Sequence, residues 1–180
     1  ETARAAADGY TVLSADNGTL VFNPVLYKSL SYNPARDLAP VTLMGRFPMI
    51  LVAGPGKAAA TAKDFLAQAR TSKDGVNYAS AGAGSSVHLA TEMLKQAAGV
   101  FVLHIPYRGD AGSITSLLAG DVPFIIAPPT AVLSNIKGGK LKAIATTGPQ
   151  RWSGMPEVPT VAEQGVPGYD VRSWAGLMAP

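Results

Sequence analysis

The sequence predicts an α/β fold in which helices cover both faces of a parallel sheet. Three observations carry this. Strand-sized apolar runs recur along the 180 residues. Segments with the three-to-four-residue apolar spacing of amphipathic helices lie between them. Gly, Pro, Asn and Asp punctuate the joins. Repeated β-α-β-α units of this size place parallel strands side by side under helices.

The elements follow in order. Tyr10 to Ala15 is apolar and β-rich, bounded by Gly9 and by Asp16-Asn17-Gly18, and reads as a buried strand. Pro40 to Met44 and Pro48 to Ala53 read as extended, with an interruption near Gly45-Arg46 and a stop at Pro55-Gly56. Thr61 to Ser72 reads as a helix, because Thr61 and Asp64 fit a capping box and Phe65, Leu66 and Ala69 form an apolar stripe. Gly75 to Ser80 is a strand. Ser85 to Ala98 is a helix with Val87, Leu89, Ala90, Met93, Leu94 and Ala97 apolar, closed by Gly99. Val100 to Ile105 is a strand, Asp110 to Ala119 a helix ended by Gly120, and Val122 to Ala127 a strand. Thr130 to Lys137 is a helix ended by Gly138-Gly139, and Leu141 to Thr146 a strand. A short helix is expected within Val158 to Gly165, and a last strand over Val171 to Leu177.

Composition narrows the function. Apolar residues make up 47% and charged residues only 15%, which is globular and not disordered. The net charge of +3 comes from scattered Lys and Arg with no block of like charge, so a nucleic-acid face has no support. There are no cysteines, which excludes disulfides and thiolate metal sites. No apolar run approaches the ~20 residues of a membrane helix. Glu1-Thr2-Ala3-Arg4 reads as the middle of a helix and Leu177-Met178-Ala179-Pro180 as an abrupt stop, so the chain is expected to be cut at both ends.

Ligands of open α/β sheets bind beyond the carboxyl ends of the strands. Four such ends stand out: Asp16-Asn17-Gly18-Thr19, Ser80-Ala81-Gly82-Ala83-Gly84-Ser85-Ser86, Pro106-Tyr107-Arg108-Gly109-Asp110, and Ala127-Pro128-Pro129-Thr130. The second says most. Its small residues admit a ligand close to the backbone, and the helix that starts at Ser85 or Ser86 aims free amides and its positive end at an anion. Ser80, Ser85 and Ser86 add hydroxyls. The competing reading is that the glycines permit the turn and the serines cap the helix. Gly82-x-Gly84-x-x-Val87 lacks the third small residue of a dinucleotide fingerprint, no P-loop follows, and no cofactor is expected. Ser85 and His88 would be the residues of a small hydrolase, yet no acid is placed to orient the imidazole. His88 and Glu92 alone make a weak metal signal, so no metal is expected. His104 reads as a structural histidine. Tyr107 is noted beside Arg108, whose guanidinium could hold a carboxylate bidentately.

Taken together, the segments DGYTVL, DLAPVTL, VNYASAGAGSSVHLA, HIPYRG, IKGGKLKAIATTGPQR and VPTVAEQGVPGYDVRSWAGLMAP resemble, in this order, the Bug receptors. These are the extracytoplasmic solute receptors of the tripartite tricarboxylate transport family. The resemblance implies a periplasmic-binding-protein-like (type II) Venus flytrap that captures a small carboxylate: a di- or tricarboxylate, an acidic amino acid or an aromatic carboxylate. It implies a periplasmic location and delivery to the membrane components of a transporter, with no catalysis. It implies ligand contacts at Asn17, Gly18 and Thr19 and over Ser80, Ala81, Gly82, Gly84, Ser85 and Ser86, with His88, Tyr107, Arg108 and Gly109 in or beside matching motifs.

Against the family pattern the first strand and the C-terminal helices of the first lobe are absent. One complete three-layer lobe is therefore expected over residues 43–170, and part of the other over 1–42 and 171–180. Unpaired edges of the incomplete lobe would be covered by dimerisation or strand exchange. Ala127-Pro128-Pro129 stands where many relatives carry an acidic or amide residue, and Arg108 where lysine is common. A similar flytrap serves as the effector-binding domain of transcription regulators, but that reading needs a helix-turn-helix, and none is present in this sequence.

Overall fold

The computed structural model describes residues 1–56, 59–72 and 75–180. The chain divides into two units, one of residues 1–47 with 173–180 and one of residues 48–172. These divisions fall a few residues beyond the 42/43 and 170/171 positions expected from sequence.

The smaller unit carries a three-stranded sheet of β1 (Leu13–Asp16), β2 (Ala39–Pro48) and β8 (Arg172–Ala179), in the order β1-β8-β2. β1 pairs antiparallel with β8, Leu13 opposite Met178. Thr2–Arg4 is a single 3-10 turn. Gly18–Phe22 is a wide turn of π type that runs into the short α1 (Asn23–Leu26), and α2 (Pro34–Asp37) follows. The core is small: Ala15, Leu38 and Met178, with Ala3, Leu13 and Leu20 against them. Val41, Leu43 and Met44 of β2 are more than half exposed. The expected interruption at Gly45-Arg46 is not there. β2 runs unbroken to Pro48, and the chain breaks at Met49, whose amide donates to Thr147 Oγ1 at 2.8 Å instead of joining a ladder.

The larger unit carries β3 (Ile50–Ala53), β4 (Val76–Ser80), β5 (Val102–Pro106), β6 (Phe124–Ala127) and β7 (Lys142–Thr146), in the order β5-β4-β6-β3-β7. Its helices are α3 (Ala62–Thr71), α4 (Ser86–Ala98), α5 (Asp110–Ala119) and α6 (Pro129–Lys137). Every residue of β3 and β6 is buried, as a sheet covered on both faces requires. Phe65 of α3 meets Phe124 of β6 edge to face at 4.6 Å. Each such fully buried side chain contributes roughly 1.5–3 kcal/mol.

The all-parallel expectation is corrected. β4 is parallel to β5 and β6, but β3 is antiparallel to both β6 and β7. β7 therefore runs with β6, and β3 alone opposes the other four. Short strand-to-helix loops follow β4, β5 and β6, which is how a helix returns the chain to a parallel strand of the same sheet. α3 begins only at Ala62, well past the end of β3 at Ala53, so that rule does not fix the direction of β3.

Local signals fare well in the helices. Thr61 Oγ1 accepts the Asp64 amide at 3.1 Å and Asp64 Oδ2 accepts the Thr61 amide at 3.0 Å, completing the capping box. Gly99 closes α4 in the left-handed conformation, and the Val100 amide bonds Lys95 O. The buried face of α4 is narrower than its apolar pattern suggests: Val87, Ala90, Thr91 and Leu94 are buried while Met93 is half exposed.

The helix expected within Val158 to Gly165 is a series of turns. Thr160 and Glu163 make a reciprocal cap, the Thr160 amide on Glu163 Oε2 at 2.6 Å and the Glu163 amide on Thr160 Oγ1 at 3.0 Å. Gly165 at φ +111 and Pro167 then stop the helix from propagating. Gln164 anchors the turns, donating to Ile144 O and accepting from the Ala62 amide.

Candidate functional site

β4, β5 and β6 lie side by side and parallel, so their carboxyl ends fall along one edge of the larger unit. α4, α5 and α6 begin directly after them. Three helix amino-termini, each with a positive dipole end, therefore gather beyond this edge.

The loop after β4 is built to hold its backbone open. Ser80 is fully buried, and its hydroxyl lies 2.5 Å from His104 Nε2 while accepting the Gly82 amide at 3.0 Å. Gly82 sits at φ +131, and a Cβ there would stand 3.4 Å from Tyr107 O. Ser80 O accepts the Tyr107 amide at 2.9 Å and Ala81 O accepts the Gly109 amide at 3.0 Å, so the loops after β4 and β5 are joined. Gly84 is buried, and its amide donates to His88 Nδ1 at 3.1 Å.

Ser85 is the N-cap of α4: its Oγ accepts the His88 amide at 3.2 Å. The capping role that sequence left open is thus occupied. This contact is to the His88 backbone, while the ring nitrogen Nδ1 accepts from Gly84. Ser86 opens α4.

Behind the loop stands a column of rings. His88 stacks on His104 at 4.2 Å, and His104 on Tyr78 at 5.0 Å, both within 20° of parallel. Tyr78 Oη donates to Glu92 Oε1 at 2.9 Å, and Lys95 Nζ reaches the same oxygen at 2.9 Å. His88 Nε2 lies 3.9 Å from it. Burial pushes the Glu92 carboxyl up, but the Lys95 and Tyr78 hydrogen bonds outweigh it and hold the group below the usual carboxylate range. Burial, reinforced by His88, holds His104 below the usual imidazole range. His104, read from sequence as structural, is a satisfied histidine whose partner is the buried Ser80. The ladder register puts Tyr78 opposite His104.

Tyr107 turns its phenol into the base of α5, 2.5 Å from Ser116 Oγ. Arg108 is exposed on the loop. Gly109, at φ +85, is the residue before α5. Pro128 and Pro129 bring no side-chain cap to α6. Ser80 to Ser86, His88, Tyr107, Arg108 and Gly109 are thus gathered at or beside one sheet edge.

Asn17, Gly18 and Thr19 belong to the smaller unit. Asn17 Oδ1 accepts the Trp174 amide at 3.0 Å and the Ser173 hydroxyl at 3.2 Å, pinning the loop to β8. The Thr19 amide donates to Asp16 Oδ1 at 3.0 Å, and Tyr32 Oη donates to Thr19 O at 2.7 Å. Among the described residues no group of three His, Cys, Asp or Glu side chains is placed to hold a metal ion, and no helix is long and apolar enough to cross a membrane.

The chain is similar to several known proteins. The chain is 36% identical over 180 residues to BugT of Bordetella pertussis, and 37% identical over 179 residues to a protein of the tcbD-tcbE intergenic region of Pseudomonas sp. strain P51. It covers 55% and 53% of those relatives, so it spans about half their length. Among solved structures it is similar to Rpa4515 of R. palustris with adipate, at TM-score 0.95 and 32% identity. It is similar to the periplasmic binding protein BugD at TM-score 0.90 and 34% identity. It is also similar to MatC of Rhodopseudomonas palustris with bound malate, at TM-score 0.88 and 30% identity. Each alignment covers 99% of this chain and 60–61% of the other. The fold is that of the periplasmic binding proteins, as one lobe and part of another. With the profile of the tripartite tricarboxylate transporter family receptors (TctC) matching residues 1–180, the chain belongs to that family of solute-binding receptors.

Proposed function

We propose that this chain is part of a periplasmic receptor that captures a small dicarboxylate and passes it to the membrane components of a transporter, without chemistry on the ligand. The observation that carries the reading is the convergence of three helix amino-termini on the open glycine-serine loop at one sheet edge. A carboxylate there gains charge-assisted hydrogen bonds from fixed amides, and each helix end adds roughly 0.3–1 kcal/mol for a nearby anion. The adipate and malate held by two similar proteins support a dicarboxylate as the ligand class.

On this reading the Ala83 amide and the hydroxyls of Ser85 and Ser86 grip one carboxylate, with Ser80 to Gly82 and Gly84 shaping the loop and Gly109 and Arg108 beside them. Asn17, Gly18 and Thr19 are proposed as further contacts from the smaller unit. His88 and Tyr107 act behind the loop. The two units correspond to a complete lobe and part of a second, and the exposed β2 is the proposed surface for a dimer.

Thermal shift tests the reading on this chain and on the full-length product of its gene. A ligand at a hundred times its Kd stabilises the native state by about 2.7 kcal/mol. Adipate or malate is expected to raise Tm, their diamides are not, and Ser85→Ala is expected to weaken the effect. Indifference of both proteins to every carboxylate overturns the proposal.

A further inference from the structure

The Gly84–His88 contact gives the loop a sensitivity to protons. His88 Nδ1 can accept the Gly84 amide only while that nitrogen carries no hydrogen. The neutral ring then bears its proton on Nε2, on the side of Glu92 Oε1 at 3.9 Å. A second proton has one place to go, Nδ1, and there it confronts the amide hydrogen of Gly84 head on.

The surroundings admit that proton while resisting large movement of the ring. The groups around the ring are His104 of β5, stacked on it, Glu92 and Lys95 of α4, and Tyr78 of β4 beyond His104. Burial keeps His104 neutral more readily than an exposed imidazole, so the pair does not place two cations face to face. The ring is pinned by stacking, so the amide of Gly84 must be the part that gives. Gly84 sits at φ +79, in a loop whose other bonds run through Ser80 and Gly82.

We infer that His88 is a positioning residue that holds Gly84 in the loop's resting form when neutral and releases the Gly84 amide when protonated. Its effect on capture, which rests on the carboxylate reading above, is that acidification frees one more amide for an anion at the place where the proton also adds positive charge. The bond and its release do not depend on that reading.

The test uses the 180-residue chain without ligand, by 15N NMR between about pH 8 and pH 5. The His88 ring is expected as the Nε2–H tautomer at high pH. The protection factor of the Gly84 amide is expected to fall on the order of tenfold with the same midpoint as the His88 titration. In His88→Asn the side-chain oxygen replaces Nδ1 without titrating, so Gly84 stays protected at every pH. In His88→Phe the ring remains to stack but the acceptor is gone, so Gly84 is unprotected throughout. Gly84 protection that ignores the His88 titration overturns the inference, as does a pH dependence that survives in His88→Asn. Because no ligand enters the experiment, either failure leaves the carboxylate reading standing, and failure of carboxylate binding leaves this result standing.

Discussion

Tyr78 and His104 face one another across the parallel ladder of β4 and β5, their rings stacked at 5.0 Å, and the phenol reaches over to Glu92 at 2.9 Å. The pair joins the sheet to α4 directly beneath the loop. Tyr78→Phe keeps the ring and removes the hydrogen bond. The expected cost is about 1 kcal/mol in urea unfolding. An unchanged midpoint would mean that Glu92 is served by Lys95 alone.

The same phenol sets an alkaline limit. Tyr78 is pushed well above the usual tyrosine range, first by burial and then by the hydrogen bond to and charge of Glu92. Tyr169, which donates to Ala90 O at 2.8 Å, is pushed up by burial alone. In each case the folded chain holds the proton more tightly than the unfolded one. Their contribution to stability is therefore complete below about pH 10, the unfolded value, and is lost as pH rises above it. Unfolding free energy is expected to fall between about pH 10 and pH 12, less steeply in Tyr78→Phe and in Tyr169→Phe. Equal slopes in all three proteins would contradict the assignment.

Much of this was legible from sequence, and the rest had a physical reason to be hidden. Thr61 with Asp64 and Gly99 announced the ends of α3 and α4, because caps are decided by residues a few positions apart. The same local signal misled at Thr160 and Glu163, where the cap formed and Gly165 and Pro167 then cut the helix short. β3 looked like any buried strand; its reversed direction lies in its antiparallel pairing with β6 and β7, which apolar periodicity does not encode. Gly45 suggested a break that β2 does not make. The glycine-serine loop stood out because its chemistry is contiguous. His104 did not, because its partnership with Ser80 and His88 exists only once β4 and β5 are in register.

β2 predicts self-association. Val41, Leu43 and Met44 are 55%, 51% and 59% exposed, on both faces of one strand of the smaller unit's sheet. Apolar surface on an extended strand recruits a second chain. Light scattering at tens of micromolar (roughly the range in which weak interfaces form) is expected to show a mass above the monomer. Val41→Lys with Leu43→Lys is expected to return it to the monomer. A monomeric wild-type mass would remove the dimer from the proposal.

Gly54 separates packing from loop geometry. A Cβ at this position would stand 2.7 Å from Leu117 O and 3.1 Å from Leu117 Cδ1. The carbonyl belongs to α5 and cannot rotate away, so Gly54→Ala must push β3 and α5 apart. The expected loss is about 1–3 kcal/mol by denaturant, and a loss below that range would show that the α5 end yields.

Gly82→Ala strikes the loop itself. At φ +131 an L-residue is strained, which alone costs about 1–3 kcal/mol. Yet the new Cβ would lie 3.4 Å from Tyr107 O, an ordinary van der Waals separation, so the core has no reason to repack. The strain is instead relieved by moving the Gly82 amide, and that breaks its bond to Ser80 Oγ. Freed of this donor, Ser80 still lies against His104, so the ring column is expected to stay intact while the loop shifts. The variant is therefore expected to lose stability modestly, to keep the His88 and His104 ring signals in NMR, and to lose the thermal shift with adipate or malate. Loss of the ring signals as well would place Gly82 in the scaffold and not in the cradle.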